Sequence, residues 1–234
     1  MHEMSEFLES GEPYALQIPG LSYPLHLPWV WLPGEERDIR IASLNLVGKV
    51  QWNHDLGKLL AARVRTAFPD LTGLCLITVV EKALQLAQVV ASELGVADMA
   101  VAYNRVKPHM EASGRPVIQV GADSITSGVK FLALYERDIN LLVGRASRGV
   151  ILIDDVVTTG GTVLGLVDLL HQVSRVKNLP GGIPLRGIFC VAEEGKRTHL
   201  LAAPVQSLAR LPDPLLRPAL RRAGALQERL WPKS

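Results

Sequence analysis

Residues Gly149 to Leu170 read GVILIDDVVTTGGTVLGLVDLL, and this stretch decides the fold. Val150, Ile151, Leu152 and Ile153 form a continuous, mostly β-branched apolar run, the pattern of a strand buried on both faces. Asp154 and Asp155 follow, so two carboxylates stand together at the carboxyl end of that strand. Val156 and Val157 lead into a small, hydroxyl-bearing turn, Thr158-Thr159-Gly160-Gly161-Thr162. Beyond it Val163, Leu164, Leu166, Val167, Leu169, Leu170 and Val173 recur at helical spacing. A strand, a glycine-bearing loop and a helix in this order aim backbone N–H groups and a helix N-terminus at an anion. The paired acids cannot bind phosphate; they suit a sugar's vicinal hydroxyls, or a divalent cation held by those hydroxyls. A purely structural βα turn has no need of that pair, so the stretch reads as a sugar-phosphate site.

Working outward, Leu74–Val80 (LCLITVV) is a second apolar strand, and Glu81–Leu94 a helix with Gly95 as its C-cap. Met99–Tyr103 is a third strand, which makes β-α-β and predicts a parallel unit with its sites at the strands' carboxyl ends. That rule sets Thr78–Lys82 beside the Asp154 loop. Glu81-Lys82 then reads either as a grip on pyrophosphate or as an exposed first turn. His54–Phe68 reads as an amphipathic helix ended by Pro69, and Ile39 and Ile41 alternate with Arg40 and Ala42 as in a short half-exposed strand or loop. Asn140–Val143 (NLLV) reads as a strand, Leu185–Val191 as a core strand and Val205–Leu208 as an edge strand.

Three stretches lie outside this alternation. Residues 1–36 carry Pro13, Pro19, Pro24, Pro28 and Pro33 with Tyr23, Trp29 and Trp31, which forbids a long helix and reads as an arm covering the core or a partner subunit. Residues 104–138, with Gly114, Gly121, Gly128 and the runs PVIQV and VKFLALY, read as a two-stranded ribbon with a mobile tip, a loop long enough to be a lid. Residues 211–234 read as a proline-broken tail with one short amphipathic helix. The expected division is therefore an arm over 1–36, one domain over 37–210 and a tail over 211–234.

Composition narrows the function classes. A chain of 234 residues, 48% hydrophobic and 21% charged, can bury one sizeable core. A formal charge of +2, with no lysine or arginine before Arg37, argues against nucleic acid as a partner. The only two cysteines, Cys75 and Cys190, lie in apolar runs and read as reduced core residues. No apolar run approaches membrane-spanning length and the N-terminus is too polar for a signal peptide, so a soluble cytoplasmic protein is expected.

ILIDDVVTTGGT resembles the phosphoribosyl pyrophosphate (PRPP) signature of the type I phosphoribosyltransferases. The resemblance runs over roughly residues 40–210 and lies nearest the xanthine and adenine branch. ASLN (Ala42–Asn45) resembles the hood segment that contacts the base, ITVVEKALQLAQVVASELG the pyrophosphate loop and its helix, and GIFCVAEEGKR followed by VQSLARL the closing strands. It implies an α/β fold, a doubly wound, mainly parallel sheet with flanking helices, plus a small hood and a flexible loop. It also implies Mg²⁺, a homodimer, and transfer of ribose 5-phosphate from PRPP to a purine base with release of pyrophosphate.

Carried over by position, the resemblance implies that Asp154 and Asp155 hold the ribose hydroxyls, directly or through Mg²⁺. Thr158, Thr159, Gly160, Gly161 and Thr162 would cradle the 5-phosphate, and Thr78–Ala83, with Glu81 and Lys82, would form the pyrophosphate loop. Lys107 would reach pyrophosphate as the long loop closes, with Arg105 as a further candidate. Asn45, Glu193 and Glu194 would face the base. The chain departs from the family pattern twice. Ala83 stands where the pyrophosphate loop usually has glycine, and Glu194 where the xanthine branch has lysine. An inward Glu194 would accept from an exocyclic amine, favouring adenine or guanine over xanthine; alternatively it is a solvated loop acid. A second class of function keeps the fold without catalysis, a PRPP- or nucleotide-sensing regulator.

Overall fold

The computed structural model of the chain describes residues 11–34, 36–104, 117–120, 132–195 and 201–218. In chain order these form β1 (Tyr14–Leu16), β2 (Leu25–Leu27), β3 (Trp29–Leu32), β4 (Arg37–Ala42), α1 (Val50–Ala67), β5 (Leu74–Val79), α2 (Leu84–Leu94), β6 (Ala100–Ala102), β7 (Val117–Val120), β8 (Leu132–Tyr135), α3 (Glu136–Arg145), β9 (Gly149–Val157), α4 (Gly161–Val176), β10 (Leu185–Glu193), β11 (Val205–Arg210) and β12 (Leu215–Pro218).

The central sheet has five strands in the order β11-β10-β9-β5-β6, each pair parallel. Its middle strand, β9, is apolar from Val150 to Ile153 because it is covered on both faces, and the pleat sorts those side chains by alternation. Val150 and Leu152 point into one core with α3 and α4, while Ile151 and Ile153 point into the other with α1 and α2. The same alternation sends Cys190 to the first core and Phe189 and Val191 to the second; Cys75 joins Cys190's side, and both cysteines are buried and outside any disulfide. Phe189 is fully buried, edge-on to Phe68 at 6.2 Å, a burial worth about 1.5–3 kcal/mol by area.

Three smaller sheets accompany the central one, of which one is the antiparallel pair β1-β2. β7 and β8 form the antiparallel ribbon read from PVIQV and VKFLALY; its connection, residues 121–131, lies outside the described residues, as do Arg105, Lys107 and the amphipathic stretch of 219–234. A three-stranded sheet, β12-β4-β3, forms a hood. It draws one strand from residues 29–32, one from 37–42 and one from 215–218. Leu16, Ile18, Leu25 and Leu27 from the proline-rich start of the chain are buried in the α1–α2 core. The hood is clasped from its back face: Arg217 places Nε and Nη2 at 3.2 and 3.1 Å from Asp38 Oδ2 and lies over the Trp31 ring at 3.7 Å.

One expectation is corrected. Asn140–Val143 is not a strand but the centre of α3, an amphipathic helix with Ile139 and Leu142 inward and Glu136 and Asp138 in its first turn. A four-residue apolar run fits either element, and only the acids upstream and Ile139 one turn before Leu142–Val143 separate the two. Helix boundaries also shift: α1 starts at Val50 rather than His54, and α2 at Leu84 rather than Glu81.

Candidate functional site

The carboxyl ends of β5 and β9 open into a cavity of about 360 Å³. Parallel strands deliver their loops to the same end, so the turn after β5 meets the turn after β9. The cavity takes Val79–Ala83 from the first and Asp154, Asp155, Val156, Thr158 and Thr162 from the second; Glu194 after β10, the hood residues Ile41–Leu44, Asn104, Leu132 and Leu211 complete it. Asp154 and Asp155 are 7% and 9% exposed. Asp154 Oδ1 accepts from the Asp155 N–H at 2.9 Å, and behind them the Thr78 hydroxyl donates to the Ile153 carbonyl at 2.9 Å, tying β5 to the strand that carries the acids.

The loop after the acids forms a second, smaller hollow of about 40 Å³ lined by Asp154 and by Val156–Val163. Gly160 sets its shape. Its φ of +90° is one that side-chain-bearing residues rarely adopt, and a Cβ there would lie 2.7 Å from Leu201 Cδ2. The first N–H of α4 to find a helical acceptor is that of Leu164, which donates to the Gly160 carbonyl at 3.0 Å. The N–H groups of the residues before it have no carbonyl to reach within the helix, and no side chain caps this end. A short hollow faced by helix N-terminal N–H groups and threonine hydroxyls is suited to a phosphate.

The loop after β5 is fixed by Val80, whose N–H donates to the Ala102 carbonyl at 2.9 Å, and by the Leu84 N–H on the Glu81 carbonyl at 3.3 Å. Glu81 and Lys82 are exposed at the cavity mouth, and Ala83 is buried with φ −90°, ψ −4°. That conformation is open to any L-residue, so Ala83 needs no glycine in its place for the loop to turn. The Glu194 N–H donates to the Val157 carbonyl at 3.0 Å, which brings its side chain into the cavity. Burial pushes the Glu194 carboxyl above the usual glutamate range, and the Lys82 ammonium pulls it partly back.

The cavity thus brings together Asp154, Asp155, Thr158, Thr162, Glu81, Lys82 and Glu194, with Thr159, Gly160 and Gly161 in the adjoining hollow. It leaves out two residues named from sequence. Asn45 is exposed and its Oδ1 accepts from the Val47 N–H at 3.1 Å, a local turn beyond the cavity wall. The Glu193 Oε1 accepts from the Ser207 hydroxyl at 2.9 Å, holding β10 to β11. In their place the hood supplies Ile41, Ala42, Ser43 and Leu44. Leu211, read as part of the tail, is drawn in by its N–H on the Glu193 carbonyl at 2.8 Å. No local sequence signal marks Leu211, because its place depends on β11 pairing with β10.

Among the described residues no cluster of three or more His, Cys, Asp or Glu forms a metal cage. Two carboxylates at one cavity are still what Mg²⁺ commonly takes from a protein when substrate phosphates and water supply the rest.

Residues 53–175 match the family model described as a phosphoribosyl transferase domain. The chain belongs to the phosphoribosyltransferase family. Its five-stranded parallel sheet with flanking helices is that family's fold. Among solved structures it is similar to an adenine phosphoribosyltransferase from Thermoanaerobacter pseudethanolicus, at 19% identity over 70% of this chain and 84% of that one, with a TM-score of 0.47. A purine phosphoribosyltransferase from Pyrococcus horikoshii matches at 17% identity over 70% and 88%, with a TM-score of 0.38. A hypoxanthine phosphoribosyltransferase from Staphylococcus aureus matches at 12% over 70% and 74%, with a TM-score of 0.40. A comparison with curated proteins gives no match. No helix of the described part of this phosphoribosyltransferase is long and apolar enough to cross a membrane.

Proposed function

We propose that the chain transfers the ribose 5-phosphate of PRPP to an aminopurine, adenine or guanine, forming a nucleoside 5-monophosphate and pyrophosphate. One observation carries this reading: buried Asp154 and Asp155 share a single cavity with Glu81-Lys82 on one side and Glu194 on another, above the N-terminus of α4. In this reading Asp154 and Asp155 accept hydrogen bonds from the ribose 2- and 3-hydroxyls. The hollow from Thr158 to Thr162 holds the 5-phosphate through backbone N–H groups and hydroxyls.

A purine ring nitrogen displaces pyrophosphate from C1, so positive charge grows on the sugar while negative charge grows on the leaving group. Asp154 and Asp155 would hold Mg²⁺, which would supply charge neutralisation to the leaving pyrophosphate. Lys82 adds a cation on that side, and the near-buried pair of aspartates faces the sugar ring where positive charge develops. Lys107 and the 104–138 excursion, apart from the packed strand β8 and the anchored start of α3, are proposed to close over the leaving group and exclude water. Glu194 accepts from the exocyclic amine of the base, which favours adenine or guanine and disfavours xanthine. We further propose a homodimer acting in the cytoplasm.

The test is pyrophosphate release from PRPP with Mg²⁺, measured separately with adenine, guanine, hypoxanthine, xanthine and orotate. Release with adenine or guanine is expected. Release with xanthine alone contradicts the role given to Glu194. Silence with every base alongside measurable PRPP binding favours the nucleotide-sensing regulator.

A further inference from the structure

The hood has two unlike faces. On β4 the side chains of Asp38 and Ala42 are buried, and on that same face Arg40 and Arg217 lie over the rings of Trp29 and Trp31. The opposite face carries Ile39 and Ile41, set beside Leu32 and Val30 on β3 by register, with Leu216 on β12 directly across from Ile39. Ile41 lines the cavity. Ile39 stands one pleat repeat further along, about 7 Å away, and it is 37% exposed between Leu32 at 43% and Leu216 at 56%. Isolated surface leucines carry no message, but these form one cross-strand row, Leu216-Ile39-Leu32, continuous through Ile41 with the wall of the substrate cavity. None of the three is charged or hydrogen-bonding, so this wall offers a ligand nothing but apolar contact.

We propose that the acceptor of this phosphoribosyltransferase is an aminopurine bearing an apolar substituent on its exocyclic nitrogen, and that the Leu216-Ile39-Leu32 row seats the substituent. The inference rests on the reading of the cavity as a PRPP and purine site. A secondary amine keeps one N–H for Glu194, and a five-carbon or benzyl arm spans the distance from Ile41 to Ile39. Unsubstituted adenine leaves the row in water.

The experiment measures kcat/KM for adenine, N6-isopentenyladenine and N6-benzyladenine with saturating PRPP, for the parent and for Ile39→Glu, Leu32→Ser and Leu216→Ser. These side chains are exposed and lie outside the cavity lining, so adenine turnover reports that each variant is folded. Expected is a preference of about tenfold or more for the substituted bases in the parent, the worth of roughly two buried methylenes. That preference should be lost in Ile39→Glu and reduced in the serine variants, with adenine unchanged. Substituted bases used no better than adenine overturn the inference while leaving the phosphoribosyltransferase reading intact. A parent preference that survives Ile39→Glu overturns the seat. Absence of turnover with every base overturns both.

Discussion

Glu194 sits just beyond β10 with its carboxyl held above the usual glutamate range by burial, while Lys82 draws it down. Acid that protonates it replaces a charged acceptor with a weaker neutral one, so KM for adenine should climb on the acid side, beginning at a higher pH than an ordinary glutamate would give. Glu194→Gln keeps a carbonyl acceptor but no charge; it should raise KM about three- to tenfold near neutrality, as a neutral hydrogen bond replaces a charged one, and flatten the acid limb. Stability moves the opposite way. Because the folded-state pKa lies above the unfolded one, the contribution is full below the ordinary glutamate value and is lost as pH rises through the raised one. Glu194→Gln should therefore melt higher than the parent at pH 8, with the gap closing in acid. An unchanged acid limb together with an unchanged melting gap contradicts this placement. At this scale the sequence was informative where chemistry is ordered along one strand. That Asp154, Asp155 and Gly160 stand at one strand end and its turn could be read from their own neighbours, whereas the place of Asn45 could not, since its turn onto Val47 is settled only by the fold around it.

Helix α3 is joined to β6 by one buried acid. Asp138, 3% exposed, accepts from the Val101 N–H at 3.0 Å and from Arg137 Nη1 at 2.8 Å, and burial holds its carboxyl above the usual range against both. Asp138→Ala leaves a backbone donor in the core without its acceptor, and should lower stability by about 1–3 kcal/mol. In urea the midpoint should fall with the slope unchanged. A shift below about 0.5 kcal/mol, the range of an ordinary surface change, would show that water replaces the lost acceptor. Reading NLLV as a strand missed this element because the buried polar residue that anchors it lies two residues upstream of the apolar run. Strands β5, β9 and β10 were legible for the opposite reason: each is a long apolar run, needed because both faces are covered.

The whole molecule sets one cavity beside a hood assembled from distant parts of the chain. The pairing of β12 with β4 joins residues 215–218 to 37–40, and nothing in either stretch announces the other. Non-local strand partners are fixed by which edges the core leaves open, so the hood could be expected in kind but not in its parts. The sheet itself followed from alternation of strand and helix, and the family match over residues 53–175 lies within it. Asp154 and Asp155 are proposed to make the sugar end of a PRPP site. The most direct measurement is calorimetric titration of PRPP with Mg²⁺ into the parent, Asp154→Asn and Asp155→Asn, with thermal melts alongside. Expected are binding by the parent, at least about a tenfold loss in each variant, in line with hydrogen bonds to charged groups, and melting temperatures close to the parent's. Variants that remain folded and bind PRPP as tightly as the parent would contradict the proposal.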